Sequence, residues 1–454
     1  MLFALLLLAS MADWVPAHWN SNDPKTLGLV AETPINCLLL EQRFWSADFA
    51  GQASARGIAT LGVVRPGSNA VESARLALGA KLDGVVLEGD FEPSTVRLVS
   101  ALLAGAKAVL VELPPRGGLQ LNGAAPVVGT YQGIWPGIRT QEDGAVKAAP
   151  TGGPWIETNA GLLRFLRAAV DAAIWIDYAP PRRKAFPTTR YLQAICDAAH
   201  TGARWIISLD EDFEHRLLER EVSALDAWRR MAAYMKYFEE RREWRTFGPY
   251  GRLALVQDAD SGALLSGSLL DMILVKHTPV RPVPRWKLGG GALQGSKLTV
   301  NADPASLSDE QRQALRDFAR AGGTLLSGPP GWKFPPIRKD QVTLSEEELK
   351  RMDEIWREVR SLVGRSNLGA RLFNVSGMLS NLLATPDGRG VVLHLVNYSD
   401  YPVESVTVHL LGTWHRARLL SPEAPPRELE VYPIDEGTGV DIPRITVCGT
   451  LVLD

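Results

Sequence analysis

Six apolar runs in the first half of the chain each end in a carboxylate: NCLLLE at Glu41, GVVLE at Glu88, AVLVE at Glu112, PWIE at Glu157, IWID at Asp177 and WIISLD at Asp210. Paired carboxyl groups are equipment for acid–base chemistry. One kept protonated can donate to a leaving oxygen, while another, ionised, attacks carbon or activates water. Crowding and desolvation raise the pKa of the first, and hydrogen bonds or an arginine hold the second low. Arginines in the neighbouring sequence are Arg43, Arg116, Arg139 and Arg182.

Aromatic and amide side chains accompany the acids. Trp45 follows Glu41, and Tyr131, Gln132 and Trp135 follow the run that ends at Thr130. Trp155 and Asn159 flank Glu157, and Tyr178 follows Asp177. Sugar rings present apolar C–H faces that an indole or phenol can cover while acids and amides bind the hydroxyls. The stretch GTYQGIWPGIRT with GPWIETN therefore reads as a binding wall. Plainer roles are open to the same residues. A strand-end acid can be a surface charge, Trp155 and Trp175 can fill core space, and Asp210 with Glu211 and Asp212 suits the start of a helix, where acids are stabilised. Repetition at six strand ends favours a site.

Bringing those ends together requires parallel strands. Strand candidates at 36–41, 58–64, 82–88, 108–113, 126–130, 154–157, 173–178 and 204–209 alternate with helical stretches at 44–56, 69–80, 94–105, 159–172 and 188–200, whose apolar residues recur every three or four positions. The connections 114–125 and 131–153 are rich in Gly and Pro and read as loops. Eight such strands predict an α/β fold, a (β/α)8 TIM-type barrel over 13–247 whose strand C-termini share one mouth. The charged helical segment 211–247 would be its last helix.

Near Tyr250 the character changes. GRLALVQD, SLLDMILVKHTP, GSKLTVNA, a helix at 308–321 and GGTLLSGP predict a doubly wound, flavodoxin/amidotransferase-like α/β domain over 248–335. Its glycine runs lack the GxGxxG spacing of a dinucleotide fold, so no cofactor is expected there, and packing or homo-oligomer assembly is the expected role. A helical linker over 336–370 leads to VVLHLVNY, ESVTVHLLG, RARLLS, RELEVY and ITVCGTLVLD, which predict a C-terminal antiparallel β-sandwich over 371–454.

Composition narrows the function classes. A chain of 454 residues exceeds one ordinary core. A net charge of -2 without a basic run gives no footprint for nucleic acid. The histidines form no HxH or HxxxH pair, and the cysteines at 37, 196 and 448 are scattered, so neither a dedicated zinc site nor a disulfide framework is expected. The apolar run Leu5–Leu8 followed by Ser10 and Ala12 reads as a signal peptide, 1–12, cut before Asp13. The mature protein is then secreted or periplasmic with no membrane span.

The order of barrel, second α/β domain and terminal sandwich is carried by TTRYLQAICDAAHTGARWIISLD, SDEQRQALRDFARAGGTLL and LHLVNYSDYPVESVTVHLLG. It resembles bacterial glycoside hydrolases of the family-42 β-galactosidase type. The resemblance implies hydrolysis of O-glycosidic bonds in an oligo- or polysaccharide, with a Glu after Asn at the end of strand 4 as general acid and a Glu at the end of strand 7 as nucleophile. In the strand order above these positions fall on Glu112, preceded by Val111 instead of Asn, and on Asp177, an Asp in place of Glu. Glu112 is then the acid/base and Asp177 the nucleophile or base, with Glu157 substituting if strand 6 supplies the second group. Glu41, Glu88, Tyr131, Gln132, Trp135, Trp155, Asn159 and Tyr178 would bind substrate. The altered signature leaves open a non-catalytic carbohydrate-binding protein on the same scaffold, and clustered acids could equally hold Mg2+ or Ca2+ in a lyase or isomerase.

Overall fold

Short runs of Val, Leu and Ile, bounded by helix-capping residues, form parallel strands in the first half of the chain. We number them β1 (Pro16–His18), β2 (Cys37–Leu40), β3 (Ala59–Val64), β4 (Gly84–Glu88), β5 (Val109–Leu113), β6 (Val127–Thr130), β7 (Ala173–Ile176) and β8 (Arg204–Trp205). The computed structural model describes residues 11–67, 69–121, 123, 125–138, 156–180, 186–257, 277–301, 307–327 and 346–454. The chain forms two units. The first comprises Met1–Trp135, Val170–Tyr191 and Ala203–Glu240, and the second the remaining segments.

In the first unit β1 to β5 pair in sequence order, all parallel. A second parallel sheet runs β8, β7, β6. The parallel bridge Ala17–Ile207 joins the two sheets at the β1 edge. At the other edge the hydroxyl of Thr130, the last residue of β6, donates to the Pro114 carbonyl after β5 at 2.7 Å. Leu39, Leu61, Val86, Val111, Trp175 and Ile206, from strands of both sheets, meet in one core. Strands buried on both faces need no polar alternation, hence the near-continuous apolar runs. The helices between them start on local signals: Ser46 and Asn69 accept hydrogen bonds from Phe49 and Glu72 backbone N–H groups, and Pro93 opens Pro93–Ala106.

Two sequence expectations need correction here. Of the segment expected at 154–157, residues 154 and 155 lie outside the described residues, and Ile156–Glu157 is not a parallel strand. Ile156–Glu157 pairs antiparallel with Gly137–Ile138, in the second unit. The missing eighth member is β1, a three-residue strand too short to show periodicity. The long helix expected over 211–247 is two helices, Glu211–Leu218 and Val222–Glu239, separated where Arg220 adopts a left-handed backbone with φ 58°.

In the second unit, parallel strands lie in the order Val280–Pro284, Leu253–Gln257, Leu298–Asn301, Thr324–Ser327. The helix Asp309–Arg320 opens on a reciprocal cap between Ser308 and Gln311. The helix expected from SLLDMILVKHTP falls mostly outside the described residues. Two C-terminal antiparallel sheets, of six and four strands, share a core that includes Leu393, Val406, Val408, Ile442 and Leu451. Asn397 closes a turn within them, donating to the Tyr401 and Thr446 carbonyls and accepting from Ser399. Among the described residues no helix is long and apolar enough to cross a membrane.

Candidate functional site

Parallel pairing carries the strand C-termini of the first unit toward the same end. His18 is the last residue of β1, Glu88 is the last of β4, and Glu41, Arg65 and Asp177 directly follow β2, β3 and β7. Their side chains meet. His18 Nε2 lies 2.9 Å from Asp177 Oδ2 and 3.9 Å from Glu88 Oε2. Arg65 grips both neighbouring acids: its Nε and one terminal nitrogen reach the two oxygens of Glu88 at 2.8 and 3.2 Å, and the other terminal nitrogen reaches those of Glu41 at 2.7 and 2.8 Å.

Local backbone chemistry sets these positions. Gly89 follows Glu88 with φ 136°, and a Cβ there would stand 2.4 Å from the Pro66 ring. Only glycine lets the chain leave β4 so close to the loop that carries Arg65. At β7, the Asp177 N–H donates to Thr130 O at 2.9 Å and the Asp177 carbonyl accepts from Gly133 N–H at 2.8 Å. The loop after β6 thus straps the exit of β7.

The side chains of His18, Glu88 and Asp177 are 10%, 12% and 5% exposed, so their charges interact through little water. Burial alone disfavours the His18 imidazolium, but the Asp177 and Glu88 carboxylates outweigh it and push the ring up to about 9. Burial raises Glu88 above the ordinary carboxylate range; His18 and Arg65 oppose the rise and Asp177 adds to it. Asp177 Oδ1 is buried and has no hydrogen-bond partner among the described residues. A fourth carboxyl group, Glu214, is raised by burial although Asn20 donates to it at 3.0 Å, and it feels the charges of Arg43 and His18. His18, Glu88 and Asp177 offer one ligand atom each, all within 4.8 Å of one another, and these three could hold a metal ion.

The other sequence candidates are placed as follows. Glu112 is exposed on β5, on the face opposite Val111 and Leu113, because alternate residues of a strand point to opposite faces. It is not among the converging acids. Trp135 packs against Phe186, Tyr191 and Trp205 with ring centroids 4.9, 5.3 and 5.0 Å away. Tyr131 packs on the first unit's core, and Gln132 Oε1 accepts from the Arg116 N–H at 3.0 Å. Tyr178 is half-buried beside Asp177. Glu157 and Asn159 belong to the second unit, where the Asn159 amide donates to buried Asp197 at 2.9 Å and Tyr398 donates to the same carboxylate at 2.6 Å. That carboxylate occupies the Asn159 amide group. Asp210 caps the helix Glu211–Leu218 and accepts from the Tyr191 hydroxyl at 2.6 Å. Trp155, Arg139 and Arg182 lie outside the described residues.

Sequence reasoning missed His18 and Arg65. Arg65 had a usable signal, since it follows the apolar run of β3 just as the acids follow theirs. His18 had none, because β1 itself was not recognised.

No protein-family model and no curated protein matches this chain. Among solved structures, the α-L-fucosidase isoenzyme 2 from Paenibacillus thiaminolyticus aligns over 97% of this chain and 99% of its own, with a TM-score of 0.62 and 11% identity. A rhamnosidase from Novosphingobium sp. PP1Y aligns over 90% of this chain and 39% of its own at TM-score 0.46 and 12% identity. A GH42 β-galactosidase from G. stearothermophilus aligns over 91% and 67% at TM-score 0.34 and 11% identity. At a TM-score of 0.62 this chain shares its fold with the α-L-fucosidase.

Proposed function

We propose that the protein is a glycoside hydrolase whose carboxylate pair is Glu88 and Asp177. The observation that carries this reading is their convergence around His18 at the ends of β4 and β7. With β1 included in the strand order, Glu88 takes the strand-4 position that the sequence comparison had given to Glu112, and Asp177 keeps strand 7. The reading also takes the eight parallel strands as a closed barrel, supported by the Ala17–Ile207 bridge at one edge and the Thr130–Pro114 hydrogen bond at the other.

Glu88, raised by burial, serves as the proton donor to the leaving oxygen. Asp177 is the nucleophile: His18 holds Oδ2, and Oδ1 carries no hydrogen bond among the described residues. Carboxylate oxygens within 4.8 Å of one another fit the separation of about 5–5.5 Å used for retention better than the wider spacing that admits a water. Tyr178 and Glu41 flank the pair as substrate-binding groups.

The test is turnover of a panel of aryl glycosides, fucosides and galactosides included. Asp177→Asn and Glu88→Gln should each lower kcat/KM by about 10²–10⁴-fold, and Glu112→Gln should leave it within about twofold. Activity retained in both of the first variants removes the assignment. One observation favours a second reading, a non-catalytic carbohydrate-binding protein: Arg65 engages both oxygens of Glu88. Saccharide binding without turnover on the whole panel would select it.

A further inference from the structure

We propose that His18, Glu88 and Asp177 form a three-point site for a divalent cation of the zinc class. The proposal goes beyond the hydrolase reading while using the same side chains. They reach one point from three strand ends, with His18 Nε2 2.9 Å from Asp177 and 3.9 Å from Glu88. Adjacent donors around an ion with bonds of about 2.0–2.2 Å stand roughly 3–4 Å apart, so small side-chain rotations that free Glu88 Oε2 from Arg65, 3.2 Å away, would complete the shell.

A second observation points to a ligand. Asp177 is 3% exposed, and its Oδ1 lacks a hydrogen-bond partner among the described residues. A buried carboxylate oxygen without a donor is costly, and a cation that Asp177 holds through both of its oxygens would satisfy it. The donor set names the class of ion. An imidazole nitrogen beside two carboxylates suits zinc-class ions, whereas Mg2+ and Ca2+ prefer shells made of oxygen. Three protein ligands leave coordination positions for water or a substrate hydroxyl. The ion takes the place of the proton on His18 Nε2, which leaves to solvent. Because it claims both carboxylates, its binding and hydrolysis by that pair exclude each other.

Full-length protein stripped of metal should be titrated with ZnCl2 and with MgCl2 by calorimetry, and with CoCl2 by visible absorption. The expected result is one Zn2+ per chain, no measurable Mg2+ binding, and a Co2+ ligand-field band. His18→Gln and Asp177→Asn should each weaken Zn2+ binding more than tenfold with unchanged circular dichroism, and Glu72→Gln, on an exposed helix, should not. Absence of stoichiometric Zn2+ binding, or equal binding by all variants, overturns the site. Turnover separates the two readings. Activity of the metal-free protein that Zn2+ leaves untouched sinks this proposal alone. Zn2+ bound at full stoichiometry by a protein whose metal-free form hydrolyses nothing sinks the hydrolase reading alone.

Discussion

His18 links the candidate site to the stability of the chain. Its folded pKa of about 9 lies above the ordinary 6.5, so the imidazolium is stabilised only in the folded state. That contribution is complete below pH 6.5 and is lost as the pH rises through 9. On the scale of a pKa shift it is of the order of 3 kcal/mol. Urea denaturation from pH 6 to 10 should therefore show a decline that His18→Gln abolishes. A parallel decline in the variant would mean that other groups cause it. Arg65 supplies a second prediction. It lowers the Glu88 pKa, so Arg65→Leu should move the alkaline limb of the kcat/KM profile to higher pH. An unchanged limb would place the proton donor elsewhere. At this scale Glu41, Glu88 and Asp177 were legible because each closes its own apolar run. Which acids would share partners was not, since that depends on neighbours contributed by other strands.

At the scale of elements, two errors compensated. Counting 154–157 and not 16–18 keeps the number of parallel strands at eight but moves every earlier strand by one place, which puts Glu112 in the fourth position that Glu88 holds in the structure. A three-residue strand such as β1 has no period to read, and Ile156 and Glu157 look the same in sequence whether their partner runs parallel or antiparallel. The helix starts were better marked, because a cap is local chemistry. Asp210 is the instructive case, an acid at a strand end that structure assigns to a helix. Its carboxylate accepts from the Phe213 N–H and from the buried Tyr191 hydroxyl. Asp210→Ala removes the cap and strands the hydroxyl, and should cost about 2–4 kcal/mol in chemical denaturation. Asp210→Asn, which can still accept, should cost less. Equal losses would mean that the cap contributes little.

Across the whole molecule, segments that read as one continuous run in sequence belong to different units: 136–169 and 192–202 group with the C-terminal sheets. The buried set of Thr158, Asn159, Asp197 and Tyr398 explains that grouping in part, since residues far apart in sequence satisfy one carboxylate. No window of sequence contains such a set. The same long-range packing bears on the N-terminus. Met11 is 3% exposed within the core of the first unit, and the Ala12 carbonyl accepts from Arg204 at 2.6 Å. A cut before Asp13 would remove both. We propose that the protein is exported and that cleavage falls upstream of Met11. Truncating a buried methionine to alanine costs about 2–5 kcal/mol, while leucine nearly conserves its volume. Met11→Ala should therefore lower the urea midpoint clearly and Met11→Leu only slightly, and a chain beginning at Asp13 should lose at least as much as Met11→Ala. Sequencing the N-terminus of exported protein completes the test. If it begins at Asp13 and is as stable as the longer chain, Met11 does not hold the core.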